Sequence, residues 1–164
     1  MTQPAHDNVT RLLLDDFTVG QKFATASRTI TADEIKAFAR DFDPQPFHLD
    51  EELARGSFFG ELVASGWHTA ALSMRLIVEG ELRIAGGVVG GGGEIAWKAP
   101  VRPGDTLHCV SEVLAVDAST RHPDRGTVTV RSETLNQDGT VVQVTVVKLL
   151  AFRRGSKYVA MPER

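Results

Sequence analysis

The segment "WHTAALSMRLIVEGEL", entered from Gly66, constrains the fold more than any other part of the chain. Trp67, Ala70, Ala71, Met74, Ile77 and Val78 recur there at helical spacing and make one broad apolar face. The spacing predicts the longest helix of the protein, apolar enough to be mostly buried. A buried helix needs a cover, and the sequence downstream is of the right kind. "GDTLHCVSEVLAVDAS", "GTVTVRSETLNQDG" and "TVVQVTVVKLLAFRR" alternate as half-buried strands do, and "GGVVGGGGEIAWKAPV" reads as a glycine-rich approach to another. Turn signals separate them at Arg102-Pro103-Gly104-Asp105, over the His122–Gly126 loop, and at Asp138-Gly139, a strong hairpin signal.

Upstream of the long helix, Met1 to about Leu14 reads as a loosely held leader, followed by a strand in "QKFATASRTIT". Thr31 and Glu34 form a capping box that opens a helix with Ile35, Phe38, Ala39 and Phe42 on one face. Pro44 disfavours helical geometry at Asp43 and ends it. Asp50 can cap a short helix through about Arg55. The order is therefore strand, short helices, one long apolar helix, then antiparallel strands. It predicts an α+β domain in which an antiparallel sheet wraps one helix, with residues 1–164 as a single domain. The sheet's exposed edges favour a homodimer.

Composition narrows the function classes. The net charge of −3 and the absence of a basic cluster speak against a nucleic-acid surface, while a local basic rim for a small phosphorylated ligand stays open. The one cysteine, Cys109, forms no intramolecular disulfide or Cys-based zinc site; it reads as a small apolar residue on a strand. The N-terminus lacks a secretory pattern and no apolar run reaches the roughly 20 residues that span a bilayer. The expectation is a soluble, cytoplasmic protein that binds no membrane.

Two segments carry chemistry. In "DPQPFH", Asp43 and His48 are held apart by a stretch stiffened at Pro44 and Pro46. A carboxylate and an imidazole so placed can share acid–base work on one water. On spacing alone the plainer reading stands ahead: a proline-rich turn with an exposed Asp and a solvated His. In "VASGWHTAAL", Gly66 opens the long helix, where backbone N–H groups lack partners and a glycine lets a ligand come close. Such an end can hold a thioester oxygen as it becomes an oxyanion; alternatively, Ser65 only caps the helix and Gly66 eases the turn. His68, one turn in, reads better as a hydrogen-bonded structural residue than as a ligand contact. The run Gly90–Gly93 is no phosphate loop, since neither Gly-Lys-Ser/Thr nor a helix follows; its glycines let a strand bend or lie close to another backbone. His6, His108 and His122 are unclustered, so no metal site is expected, and the G-x-S-x-G elbow is absent.

Taken together, Asp43-Pro44-Gln45-Pro46-Phe47-His48 and Phe59-Gly60-Glu61-Leu62-Val63-Ala64-Ser65-Gly66-Trp67 resemble the MaoC-like dehydratases, which include the (R)-specific enoyl-CoA hydratases. That family's signatures are D-x-N-P-x-H and F-G-x-x-x-A-H-G-M, and "WKAPVRPGDTL" is similar to its strand–turn–strand segment. The likeness runs from roughly Phe17 to Leu150. It implies the hotdog fold, usually dimeric, and reversible addition of water to a 2-enoyl thioester of CoA or acyl carrier protein, without a cofactor. Carried over, Asp43 and His48 are the acid–base pair and Gly66 the oxyanion donor, with Gln45, Ser65 and Trp67 around the substrate. The chain departs from the family pattern at Gln45, which replaces Asn; at Phe42, which replaces a common Gly; and at Ser65-Gly66-Trp67-His68, which replaces His-Gly-Met-Leu. Met74, with Ser73 beside it, stands where the hydratases often carry serine. Asp41 is a rival for the acid, but only with an insertion. A hotdog acyl-CoA thioesterase and a non-catalytic acyl-CoA-binding subunit remain as alternatives; the intact Asp–His pair argues against both.

Overall fold

The computed structural model describes residues 11–159. Its sheet comprises β1 (Lys22–Ala24), β2 (Arg28–Thr29), β3 (Val89–Trp97), β4 (Thr106–Ala118), β5 (Arg125–Leu135) and β6 (Val141–Phe152). The strand order is β1-β4-β5-β6-β3, with β2 also paired to β4, and every pairing between strands is antiparallel. The helices are α1 (Ala32–Phe42), α2 (Pro46–Leu49), α3 (Glu51–Arg55) and α4 (Gly66–Glu79). α4 is the longest, at 14 residues, and lies against the sheet. This is the α+β arrangement that the element order predicts, and the hotdog fold that the resemblance implies.

Local chemistry places the elements as expected in several places. Thr31 Oγ1 accepts from Glu34 N–H at 3.2 Å and Glu34 Oε2 accepts from Thr31 N–H at 2.9 Å, which closes the capping box on α1. Asp50 Oδ1 accepts from Glu52 and Leu53 N–H and starts α3. Between β5 and β6, Asn136 Oδ1 accepts from Asp138 and Thr140 N–H while Gly139 takes a positive φ of 75°. On β4 as far as Val113, and along β5, every second residue is buried, so Leu107, Cys109 and Val113 face inward with Val128 and Val130.

The orientation of α4 differs from the sequence expectation. Its buried residues are His68, Thr69, Leu72, Ser73 and Leu76. Trp67, Met74 and Val78, read as part of the buried face, are 59%, 51% and 52% exposed. Hydroxyl residues bury here because they satisfy themselves. Ser73 Oγ donates to the Thr69 carbonyl at 2.8 Å and pairs with Thr134 Oγ1 at 2.7 Å. Trp67, Met74 and Val78 are left facing outward, while Ile77 of the same stripe is half-buried. Phe42 is likewise exposed rather than buried.

Three smaller differences follow from local geometry. The "QKFATASRTIT" strand divides into β1 and β2, whose register on β4 breaks between Ala24 and Arg28. The glycine run lies inside β3 rather than before it, with an irregularity between Gly90 and Gly93. A Cβ on Gly93 would collide with the Val146 carbonyl, so the close backbone approach expected of this run holds. Met1–Thr10, most of the expected leader, lie outside the described residues. Its end is tied down: Leu12 bridges Ile84, and Leu14 is buried in a core cluster with Phe17 and Val128.

A second cluster packs α1 and α4 against β4 through Ile35, Leu72, Leu76 and Cys109, and Ile77 touches both clusters. The Cys109 thiol is fully buried, and burial raises its pKa, in keeping with a structural residue. No helix among the described residues is long and apolar enough to cross a membrane.

Candidate active site

Asp43 closes α1 as its C-cap, with N–H bonded to the Ala39 carbonyl at 3.0 Å. Three residues later, Pro46 occupies the first position of α2, where its missing N–H costs nothing. The single turn of α2 brings His48 back toward Asp43: His48 Nε2 lies 3.4 Å from Asp43 Oδ2. The sequence reading treated this stretch only as stiff. In the structure Pro46 starts a helical turn that joins the acid and the imidazole.

His48 is buried, and its Nδ1 lies 2.7 Å from the Val63 carbonyl. A carbonyl only accepts, so Nδ1 carries the proton and Nε2 is the nitrogen turned to Asp43. The loop bearing Val63 is fixed on both sides: Val63 N–H donates to Phe47 O at 3.2 Å, and Ala64 N–H to Val101 O at 2.8 Å.

Asp43 is held by two more donors. Gln45 Nε2 donates to Oδ1 at 2.7 Å and Ser65 Oγ to Oδ2 at 2.6 Å. Partial burial pushes the Asp43 carboxyl up, but the Ser65 and Gln45 hydrogen bonds and the nearby His48 outweigh it, so the group sits below the usual aspartate range. Ser65 Oγ also accepts from Trp67 N–H at 3.2 Å as the N-cap of α4. One hydroxyl therefore joins the carboxylate to the start of the long helix. Gln45, one methylene longer than the family Asn, reaches back across two residues to do the same for the other oxygen.

These groups open onto one cavity of about 560 Å³, lined by Asp43, Gln45, His48, Gly66, Trp67 and Trp97 among others. Among the described residues Gly66 N–H has no hydrogen-bond partner, as the first residue of a helix is built to leave it. Asp41 is exposed on α1 and does not line the cavity. His68 does not line it either; it is buried, stacked on Phe38 at 4.6 Å between ring centroids, with Nδ1 unpartnered. The hydrogen bond expected for His68 is thus missing at that atom, and burial lowers its pKa. Ser73 and Met74 lie farther along α4, outside this cavity. Trp97 was not singled out from the sequence, yet its indole covers Gly66; only its place beside the glycine-rich run pointed there. Among the described residues no three His, Cys, Asp or Glu side chains converge as metal ligands would.

The chain is similar in sequence and fold to several known proteins. The MaoC-like dehydratase from Rhodospirillum rubrum is 54% identical, with a TM-score of 0.86 over 88% of this chain and 99% of that one. The R-hydratase PhaJ1 from Pseudomonas aeruginosa is 25% identical, with a TM-score of 0.68 over 88% of both chains. An uncharacterized Bacillus subtilis protein, YdeM, is 39% identical over 128 residues, 76% of this chain and 87% of that protein. The family model for the MaoC-like domain matches residues 16–136. With most of its length matched by that model, the chain belongs to the MaoC-like domain family.

Proposed function

We propose that the protein is a hydro-lyase that adds water reversibly to the double bond of a 2-enoyl thioester, carried on CoA or acyl carrier protein. The observation that carries this reading is the approach of Asp43 Oδ2 and His48 Nε2, 3.4 Å apart, at the wall of a cavity that Gly66 also lines.

Asp43 and His48 hold one water between them. His48 Nε2 takes a proton from it, and the Asp43 carboxylate steadies the imidazolium that forms. The water oxygen bonds to the β-carbon as the alkene electrons shift toward the thioester oxygen. The Gly66 N–H and the positive end of α4 stabilise that oxyanion. The proton then passes from His48 to the α-carbon, which regenerates the pair and leaves a 3-hydroxyacyl thioester. Family membership and the likeness to an R-hydratase support the same chemistry.

The working unit is a homodimer. Supporting this, α4 presents Trp67, Met74 and Val78 outward, and β3 is an edge strand with one neighbour, β6. The test is a panel of enoyl-CoAs in which alkene absorbance and free thiol are followed together. Loss of alkene without thiol release is the expected result. Thiol release without alkene loss would make the protein a thioesterase, and binding with neither change would make it a non-catalytic subunit.

A further inference from the structure

We infer that Trp97 limits acyl-chain length by closing the groove between α4 and β3 beyond the reacting carbons, so that the protein takes short-chain acyl thioesters; this rests on the thioester reading above. Two cavities lie in tandem along that groove and share no lining residue. The first, of about 560 Å³, holds Asp43 and His48 and is lined on α4 by Gly66, Trp67 and Thr69. The second, of about 280 Å³, begins one residue later on α4 with Ala70, Ser73, Met74 and Ile77. On β3 the division falls in the same place, with Trp97 on the first cavity and Glu94 and Ile95 on the second.

Trp97 is fixed on three sides at this boundary. Its ring lies against Gly66, where an added Cβ would stand 2.5 Å from Cε2. Its Nε1 donates to Gln143 Oε1 at 3.1 Å, and Gln143, 2% exposed, lines the second cavity. Trp67 packs edge-on against it, with centroids 5.1 Å apart and an 81° angle between rings. The carrier of a thioester is long and polar and must leave through the mouth toward solvent. An acyl chain whose carbonyl rests at Gly66 therefore points along the groove and meets the indole. Beyond the indole is space with apolar walls, including Ile77, Val130 and Leu149, that a longer chain would fill if the ring were absent.

The experiment measures the affinity of butyryl-CoA and decanoyl-CoA, which bind but cannot be hydrated, alongside hydration of the matching enoyl-CoAs. The wild-type protein is expected to bind butyryl-CoA at least as tightly as decanoyl-CoA. Each methylene admitted to a dry cavity contributes about fourfold, so Trp97→Ala is expected to raise the decanoyl-to-butyryl affinity ratio by roughly two orders of magnitude as three or four methylenes enter. Trp97→Phe, which keeps the bulk, should retain the wild-type order. Trp97→Leu and the wild-type order itself provide the test should Trp97→Ala fail to fold. Tighter decanoyl binding by the wild-type protein, or an equal effect of Trp97→Ala on both lengths, would overturn the inference. A length step in binding with no hydration of any enoyl-CoA would overturn the hydratase reading and leave the gate standing. Equal wild-type hydration of short and long substrates would do the reverse, and failure to bind either thioester would sink both.

Discussion

At the residue scale, the site turns on how Asp43 is kept ionised. Two neutral donors, Ser65 and Gln45, reach its two oxygens and leave His48 at 3.4 Å from one of them. Hydrogen bonds to the charged form lower a carboxyl pKa, so removing either donor must raise it. Gln45→Ala and Ser65→Ala are each expected to raise the midpoint at which the Asp43 carboxyl itself titrates, read from its side-chain carbon NMR shift as pH is lowered, since each loses a donor that favours the ionised form. The two differ in stability. Both lose the stability that comes with a depressed Asp43 pKa, but Ser65 also caps α4, so Ser65→Ala should cost about 1 kcal/mol more in unfolding free energy than Gln45→Ala. A titration midpoint that stays in place in both variants would mean that these two hydrogen bonds do not hold Asp43 ionised. The Asp–His pair was legible in "DPQPFH" only through the family resemblance, because spacing alone fits a plain turn. Ser65 was legible as a cap but not as a donor to Asp43, since its partner lies 22 residues away in sequence.

At the scale of elements, helix starts and turns were the most legible part of the chain, because each depends on a few adjacent residues: Thr31 with Glu34, Asp50, and Asp138-Gly139. The facing of α4 was not legible. Hydropathy ranks Met74 and Val78 above Thr69 and Ser73, but Ser73 buries by bonding to its own helix and to Thr134, and Met74 faces out. β3 was underestimated for a related reason. Glycine disfavours strands in general, yet at Gly93 the neighbouring Val146 carbonyl leaves no room for a side chain. Gly93→Ala should push β3 away from β6 and cost about 1–3 kcal/mol, read as a lowered denaturation midpoint with the slope unchanged. An unaltered midpoint would mean that the two strands are not so closely packed there.

At the scale of the whole molecule, the single chain leaves an apolar stripe on its longest helix and an edge strand beside it. Both are resolved if two copies meet on this face. Met74→Glu or Val78→Glu is expected to shift the sedimentation profile from dimer toward monomer, because a buried carboxylate without a partner is costly. Dimers of undiminished stability would place the contact elsewhere. The fold class and the wrapped helix were readable from element order, whereas the groove between α4 and β3, with Trp97 on its wall, depends on side-chain placement that no periodicity reports. The most direct test of the proposed chemistry is the hydration rate of Asp43→Asn, His48→Gln and the double variant, each checked for an intact fold. Each single change should cost about 100- to 10,000-fold, and the double variant should be only slightly worse than either, because both groups act on one water in one transition state. Near-wild-type hydration in both single variants, or losses that multiply in the double variant, would contradict a shared Asp43–His48 mechanism.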